Sequence, residues 1–323
     1  MRSLCCAAIA AAIVILGLPA VAQEAYPKAP ITFINASSAG GASDIFMRAV
    51  SDELQKVLKQ PVIIENRPGG GFNIAARACA EAKPDGYTFC VLPGEAVIYN
   101  PHIFKSLPYD PETSFEPILT LFMLPQILAV RSDLKVPSVD DLAKLSKDKP
   151  GTLSYASPGI AQVAFVESYI NRGKGGDLVK VPFRGGGDVI NGMMTGTTPV
   201  AFIGAANLLG LLESKTVVGL AVDTKRRLDL LPGIPTIEEI GFKGDITVAF
   251  FGLFAPAKTP AAITKRMQDE ITRILSSPEF LKRNIVERGL VMASDADTEI
   301  KQLLSSGRRA APGIVREAGI TPR

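Results

Sequence analysis

The stretch best suited to chemistry in this sequence is a loop of small residues, SSAGGASD, at positions 37–44. It follows the apolar segment ITFINA and leads into residues whose apolar members recur at helical spacing. Small side chains let the backbone approach a ligand, and free N–H groups at a helix start attract carboxylate or phosphate. Asp44 fits two roles, N-capping of the helix and contact with a ligand, and the two can coexist.

Two further turns repeat this device in the second half of the chain. SYASPGIAQ at 154–162 and PFRGGGD at 182–188 are each a strand, a Ser/Gly turn and the start of a helix. Arg184 beside the last turn is either a ligand contact or a solvated surface charge. Each one alone is an ordinary strand-to-helix turn. If both lobes place such a turn at one cleft, however, the turns together would bind a small diacid between them.

Recognisable catalytic chemistry is missing from the sequence. The only histidine, His102, lies in a proline-rich stretch and is interpreted as structural. HExxH, zinc-binding cysteine pairs, GxSxG and Walker motifs are absent, and RGGGDVING lacks the spacing of a dinucleotide fingerprint. The sequence therefore favours a binding protein over an enzyme, with no cofactor and no metal expected. An exported hydrolase that uses Glu95 and Asp188 is the enzymatic alternative.

Short apolar strands alternate with amphipathic helices along the chain. Strands are predicted at 31–36, 61–66 and 87–93, and helices at 44–58 and 72–82, which is a β-α-β-α-β pattern. The segment that follows, near 100–118, is predicted to be extended because it is rich in proline. Sheets of this kind bind ligands at the carboxyl ends of their strands, where the loop at 37–44 lies.

A second set of alternating elements begins near residue 125. It includes a helix at 138–148 with a Ser N-cap, and a helical C-terminal region follows at about 260–285. The chain crosses between its halves more than once. The sequence thus predicts an α/β protein of two lobes around a cleft, each lobe a mostly parallel sheet flanked by helices.

The 323 residues carry a net charge of +3 without blocks of like charge, which argues against nucleic acid as a partner. The N-terminus has the form of a signal peptide, residues 1–22, with cleavage expected between Ala22 and Gln23 and export of the mature chain. An uncleaved membrane anchor is the competing interpretation. Of the four cysteines, Cys79 and Cys90 remain after cleavage, either as a disulfide or as two small buried residues.

The chain resembles the substrate-binding proteins of tripartite tricarboxylate transporters, also called Bug receptors. The resemblance rests on motifs that run in order along nearly the whole mature chain: YPKAPITFINASSAGGASD, QPVIIENRPGGGFNIAARACAEAKPDGYTF, NPHIFKSLPYDPETSFEPI, YASPGIA, VPFRGGGDVINGMMTG, RLDLLPGIPTIEEIGF and FFGLFAPAKTP. It implies a periplasmic-binding-protein type II fold. Residues 23–124 plus 247–323 would form the first lobe and 125–246 the second.

The resemblance also implies a monomeric periplasmic receptor that delivers a small carboxylate to integral-membrane permease subunits. A sensory receptor that serves a membrane kinase is the alternative. In the family, loops from both lobes hold a ligand carboxylate. Carried over by motif, the ligand-binding residues would be Ser38, Ala39, Gly40, Gly41, Asp44, Gly94, Glu95, Ser157, Gly159, Ala161, Gln162, Asp188, Phe202 and Ile203.

Departures from the family pattern fall in the loops that hold the ligand. Ala36-Ser37 replaces a usual Pro-Phe, and Ala161-Gln162 replaces a Gly and a hydroxyl residue. Pro199 stands where an Asp is common, and Phe250 replaces an aromatic that is often Trp. The loss of polar side chains, together with Phe202 and Phe250, leads us to expect a larger or aromatic carboxylate instead of the usual C4 or C6 acids.

Overall fold

The first of two five-stranded sheets is built from the N-terminal part of the chain and one late strand. The computed structural model describes residues 26–183, 186–244, 248–292 and 296–322. The strand order is β2-β1-β3-β10-β4, with β1, β2 and β3 parallel and β10 antiparallel to both of its neighbours. The strands are β1 (Ile31–Asn35), β2 (Val62–Asn66), β3 (Thr88–Pro93), β4 (Phe115–Leu124) and β10 (Ala249–Pro256).

The second sheet contains the intervening strands in the order β7-β6-β8-β5-β9. Strands β6, β7 and β8 are parallel, whereas β5 runs antiparallel to β8 and β9. In each sheet, therefore, the antiparallel strand is the first one after the chain crosses from the other sheet. This is β5, which follows β4, and β10, which follows β9. The strands are β5 (Gln126–Arg131), β6 (Ser154–Ala156), β7 (Val179–Lys180), β8 (Val200–Gly204) and β9 (Val217–Val222).

Helices flank both sheets and bury apolar faces against them. The first, α1, buries Phe46, Met47 and Val50, which are spaced to share one side of the helix. The α-helices are α1 (Ala42–Leu58), α2 (Asn73–Ala80), α3 (Asn100–Ile103), α4 (Val139–Asp148), α5 (Ile160–Phe165), α6 (Gly186–Thr195), α7 (Ala205–Glu213), α8 (Ala261–Leu275), α9 (Pro278–Asn284) and α10 (Ala296–Glu317).

The long helix α10 ties the two sheets together. It packs against β4 of the first sheet and against α5, which lies on the second. Ile300 and Ile314 of α10 share one buried cluster with residues of both sheets. Arg172, beyond α5, also donates through Nη2 to the backbone oxygen of Glu317 at 2.9 Å. The two lobes are thus connected by a helix as well as by the strands that cross between them.

Most predicted elements are present, with two kinds of difference. The α/β architecture of two lobes is confirmed, and the Ser138 side chain caps α4 by accepting from the Asp141 N–H. The segment near 100–118 was expected to be extended, but it begins with the short helix α3, because Pro101 sits in the first turn, where its missing N–H costs nothing. A π-helical turn, Glu95–Tyr99, precedes this helix. Strand β4 and helices α7 and α10 were not predicted.

Cys79 of α2 and Cys90 of β3 form a disulfide, with the Cα atoms 6.0 Å apart, which decides between the two alternatives that the sequence left open. The bond joins the C-terminal end of a helix to the strand that follows it. The signal peptide at 1–22 and Arg184 lie outside the described residues. We propose, as the sequence suggests, that the first lobe comprises 23–124 with 247–323 and the second 125–246.

Candidate ligand cleft

The loop after β1 is shaped by glycine and by Asp44. Gly40 has a φ of 78°, a conformation that suits glycine because a Cβ is strained there. Its N–H donates to Oδ2 of Asp44 at 2.8 Å. The N-cap of α1 is Gly41, which has no side chain to cap with, and Asp44 lies in the first helical turn. N-capping by Asp44 is therefore wrong; its carboxylate instead reaches back to hold the loop.

Asp44 is fully engaged by groups of its own lobe. Its carboxylate accepts from Asn66 Nδ2 at 2.8 Å and from Arg48, whose Nε lies 3.1 Å from Oδ2 and whose Nη2 lies 3.0 Å from Oδ1. Burial raises the pKa of Asp44, but the hydrogen bonds from Arg48, Gly40 and Asn66 outweigh it and bring the pKa below its ordinary value. Asp44 is thus a carboxylate that fixes the conformation of the loop.

The end of β3 places Gly94 and Glu95 beside the first lobe's inner surface. A Cβ on Gly94 would lie 2.6 Å from the ring of Phe250, so only glycine allows strand β10 to approach this turn. Glu95 begins the π-helical turn and is half-buried. Burial raises the pKa of Glu95 above its ordinary value, and a hydrogen bond from its own backbone N–H offsets this only in part.

The second lobe contributes a buried pair of polar side chains, Gln162 and Asp223. Gln162 lies in the first turn of α5 and donates through Nε2 to Oδ2 of Asp223 at 2.7 Å. Oδ1 of Asp223 accepts the backbone N–H of Gln126, at the start of β5, at 2.8 Å. Asp223 is 3% exposed, and burial without a cation raises its pKa to about 7.

A small cavity lies where these two regions meet. Gly94 and the turn Glu95–Tyr99 line it from the first lobe, Ala161 and Gln162 from the second, and residues 248–250 from the strand that returns to the first sheet. Its volume is ≈ 10 Å³, about the room that one water molecule needs. A ligand of several carbons therefore requires the lobes to separate at this point.

The other predicted site residues are distributed between exposed loops and the core. Ser38 and Ala39 are exposed, as is Asp188 on α6, while Gly159 is buried beneath Gln162. Ser157 is half-buried, and its hydroxyl donates to the carbonyl of Gly159 at 3.4 Å. Phe202 and Ile203 of β8 are both 0% exposed, packed on opposite faces of the second sheet. The cavity brings together Gly94, Glu95, Ala161 and Gln162 of the predicted set.

Sequence reasoning missed Asp223, Asn66 and Gln126. A signal for Asp223 exists, because it directly follows the apolar strand VVGLAV and so lies at the carboxyl end of β9. Asn66 similarly ends β2, and its Oδ1 accepts from Asn35 Nδ2 at the end of β1 at 2.8 Å. The partners of these residues are distant in sequence, so their roles follow only from the fold.

Neither a metal cluster nor a membrane span is found in the part of the chain that the structure describes. Within those residues, no group of three or more His, Cys, Asp or Glu side chains could hold a metal ion. Among the same residues, no helix has the length and apolar character needed to cross a bilayer. His102 is half-buried in the short helix α3.

Two α/β lobes that direct strand-end loops at one cleft define a solute-binding receptor. The family described as the tripartite tricarboxylate transporter family receptor matches residues 46–319, and the chain belongs to this family. The chain is 29% identical over 315 residues to a UPF0065 protein of Bordetella bronchiseptica, covering 97% of this chain and 93% of that protein. It is 25% identical to BugT of Bordetella pertussis, covering 93% and 92% respectively.

Solved structures share the fold closely. Rpa4515 of R. palustris, determined with adipate, has a TM-score of 0.82 and 25% sequence identity, covering 93% of this chain and 100% of that chain. MatC of Rhodopseudomonas palustris, with bound malate, has a TM-score of 0.77 and 25% identity, covering 90% of this chain and 100% of that chain. The two-lobed periplasmic-binding-protein fold is thus confirmed.

Proposed function

We propose that this protein is an exported receptor that captures a small organic carboxylate between its lobes and delivers it to membrane-embedded permease subunits. The observation that carries the proposal is the meeting of strand-end loops from both lobes at one cavity, Gly94–Glu95 against Ala161–Gln162. The similarity to structures that contain adipate and malate supports a carboxylate as the ligand.

The geometry supports capture by lobe closure. The loop after β1 is held by Asp44, so its backbone is ordered before a ligand arrives and little conformational entropy is lost on binding. The cavity is too small for a C4 acid as it stands, so the lobes must open for access and close around the ligand. The ligand favours the closed form by its greater affinity for it.

We further propose that the ligand is larger than the C4 and C6 acids or is aromatic. Phe250 lines the cavity and contacts Gly94, which supports an apolar floor. Phe202, which also prompted this expectation, lies in the core against Phe165, with ring centroids 5.6 Å apart. Phe250 therefore carries this part of the proposal.

A thermal-shift screen of the chain from Gln23 onward tests the binding proposal. Because only the folded state binds, a ligand at 100 times its Kd adds about 2.7 kcal/mol to the free energy of unfolding. We expect a rise in Tm with at least one class among aliphatic and aromatic mono-, di- and tricarboxylates. No rise with any of them contradicts the proposal, and tight binding of succinate or citrate without benzoate-type acids contradicts its aromatic part.

Export and delivery need separate experiments. N-terminal sequencing of the protein from the source cells tests cleavage at Ala22. Uptake of the labelled ligand, compared between cells with and without the receptor gene, tests delivery to a permease. Loss of uptake supports delivery, whereas unchanged uptake together with an altered transcriptional response favours the sensory alternative.

A further inference from the structure

A second and much larger concavity lies beside the places where the chain crosses between the two sheets. Met123 precedes the first crossing, and Thr224 and Val248 flank the second. Residues 224–231 line it from the second lobe, and α9, the segment 285–292 and α10 line it from the first. We call it the hinge-side groove. None of the described residues that line it belongs to the predicted ligand-binding set.

The hinge-side groove lies at one edge of both sheets. Strands β4 and β9 are the outer strands at this edge, whereas β2 and β7 are the outer strands at the opposite edge. The loops predicted to hold the solute follow β1, β3, β6 and β8, and the loop of residues 224–231 follows β9. The groove is therefore a surface of its own, separate from the loops that were assigned to the solute.

The size and lining of the hinge-side groove fit a peptide segment better than a small solute. Its volume is ≈ 1240 Å³, above the range of about 300–1,000 Å³ that is usual for small-molecule pockets. Large apolar side chains line it from both lobes, and Leu230 of the second lobe and Val286 of the first are 45% and 44% exposed. Exposed apolar side chains within a polar rim are typical of an interaction surface.

The polar rim of the hinge-side groove is mostly cationic. The described lining residues include one carboxylate, that of Asp229, and four cations, Lys225, Arg226, Arg227 and Arg309. Arg227 is paired with Glu239, whose Oε2 lies 2.8 Å from its Nε. Lys225 and Arg226 are exposed, and neither forms an ion pair within the described part of the chain. Charge complementarity therefore favours an occupant that carries carboxylates.

The hinge-side groove and the small cavity of the cleft are adjacent. Val248 lines both, and Asp223, which accepts from Gln162 at the cavity, directly precedes residues 224–231. Because opposite walls of the groove belong to different lobes, a change in the angle between the lobes changes its width. A partner that contacts both walls therefore binds one lobe position better than another, which lets it distinguish a loaded from an empty receptor.

We infer that the hinge-side groove docks an acidic segment, rich in large apolar side chains, of the membrane-embedded permease. This inference rests on the proposed function, because delivery requires contact with the permease. Carboxylates of the segment pair with Lys225 and Arg226 while its apolar side chains cover Leu230 and Val286, as in the recognition of amphipathic segments by apolar grooves. The concave shape favours such a segment over an anionic bilayer, since a flat surface would meet the rim and leave the apolar walls uncovered.

Site-specific photocrosslinking in the source cells tests the inference. The photoreactive amino acid p-benzoylphenylalanine replaces Leu230 or Val286 in the groove, in separate variants. It replaces Val57 of α1 or Val179 of β7 as controls, because these valines are similarly exposed, at 44% and 42%, and lie outside the groove. We expect a greater yield at the groove positions than at the controls, with a membrane protein crosslinked at a segment of net negative charge.

Several crosslinking results overturn the inference. Equal or greater yield at the controls does so, and this includes the absence of any product. Products with lipid, with a second copy of this chain or with a segment that is not acidic do so as well. A cooperative melting transition shows which variants fold, and either groove position decides the test if the other variant does not fold.

Charge reversal identifies the cations responsible. Lys225→Glu combined with Arg226→Glu replaces attraction by repulsion at two sites, so we expect the crosslinking yield at Val286 to fall about tenfold. The control combines Lys144→Glu with Lys149→Glu, which makes the same change of charge at exposed positions on α4 and just after it. This control should leave the yield unchanged. Equal yields in the two double variants contradict the role of Lys225 and Arg226.

The thermal-shift screen with carboxylates, run on the same proteins, separates this inference from the proposed function. We expect the double variant of the groove to bind its carboxylate as the wild-type protein does, because the groove lies apart from the solute loops. Absence of groove-specific crosslinks while a carboxylate still binds contradicts the inference alone. Failure of every carboxylate contradicts the proposed function, whatever the crosslinks show.

Discussion

Asp44 and Asp223 are buried carboxylates near strand ends in opposite lobes, yet their surroundings differ completely. Asp44 has a cation, a backbone N–H and an amide as partners, which together bring its pKa below the ordinary value despite burial. Asp223 has a backbone N–H and an amide but no cation, and burial raises its pKa to about 7. Asp223 thus lacks a guanidinium beside it such as Arg48 provides for Asp44, and its stronger desolvation is not offset.

The two carboxylates therefore act on stability in opposite pH ranges. A folded pKa below the unfolded value means that the stabilisation by Asp44 is present above about pH 4 and is lost as the pH falls through the folded pKa. A folded pKa above the unfolded value means that Asp223 stabilises fully below about pH 4 and loses this as the pH rises through about 7. Ionised Asp44 thus stabilises the first lobe, whereas ionisation of Asp223 destabilises the second.

The largest expected effect is that of Asp223→Asn on the pH dependence of folding. A tenfold change in proton affinity corresponds to ~1.4 kcal/mol, so the wild-type protein should lose up to about 4 kcal/mol from this group between acidic and mildly alkaline pH. We expect Asp223→Asn to remove that loss, as seen in urea denaturation at acidic and alkaline pH. The exposed Asp52→Asn serves as control, and identical pH slopes for Asp223→Asn and wild type would falsify the assignment.

Asp44→Ala should destabilise the first lobe by about 3 kcal/mol at neutral pH. The substitution removes the acceptor of the Gly40 N–H and of Asn66 and leaves two donors in a part-buried loop without their partner. Urea denaturation measures the change, with Asp52→Ala on the exposed face of the same helix as control. The difference from wild type should shrink as the pH falls below about 4 and through the lowered folded pKa of Asp44, because the carboxylate then becomes protonated. A loss that does not depend on pH would show that packing, and not charge, is responsible.

Gln162→Met should cost about 2 kcal/mol above neutral pH and less at acidic pH. Met keeps the length of the side chain but removes the N–H that donates to Asp223, and a bond to a charged acceptor is the stronger kind. The side-chain carboxyl signal of Asp223 in ¹³C NMR should then titrate at a higher pKa than in the wild-type protein. An unchanged titration would mean that Gln162 does not stabilise the ionised form.

Arg48→Ala should have the smallest effect, at most about 1 kcal/mol, because the side chain is 57% exposed and solvent screens its attraction for Asp44. Any loss should diminish at high salt. The cation beside Asp44 therefore contributes less to the free energy of unfolding than the donors of Gly40 and Asn66 do. A loss as large as that of Asp44→Ala would reverse this ranking and show that the guanidinium stabilises the lobe as much as the other partners of Asp44 together.

The sequence predicted the elements whose patterns are local. The strands of the first sheet up to β3, the helix α1 and the Ser138 cap of α4 all follow from apolar spacing and capping residues. Helix α10 was not predicted, because Pro312 and several polar residues interrupt its apolar stripe. That stripe is recognisable only from the two surfaces that the helix covers. Strand β4 is buried between β10 and α10, so its near-continuous apolar run gives no alternation to identify it.

The candidate site was predictable in its loops but not in its electrostatics. Gly94, Glu95, Ala161 and Gln162 were named from motifs and do line one cavity. The Asp44–Arg48 pair lies four residues apart on one helix, but the contacts of Asp44 with Asn66 and of Gln162 with Asp223 join residues 22 and 61 positions apart in sequence. Such pairings are set by strand order, which a single sequence does not state.

Helix α10 makes the C-terminal end of the chain an indicator of lobe position. Because it packs on β4 and on α5, any change in the angle between the sheets must slide or release one of these contacts. Arg316 is exposed near the end of this helix, on the chain's surface and apart from the residues that line the cavity. An environment-sensitive dye attached at that position would report occupancy from a distance, which turns the receptor into a reagentless biosensor for its own ligand.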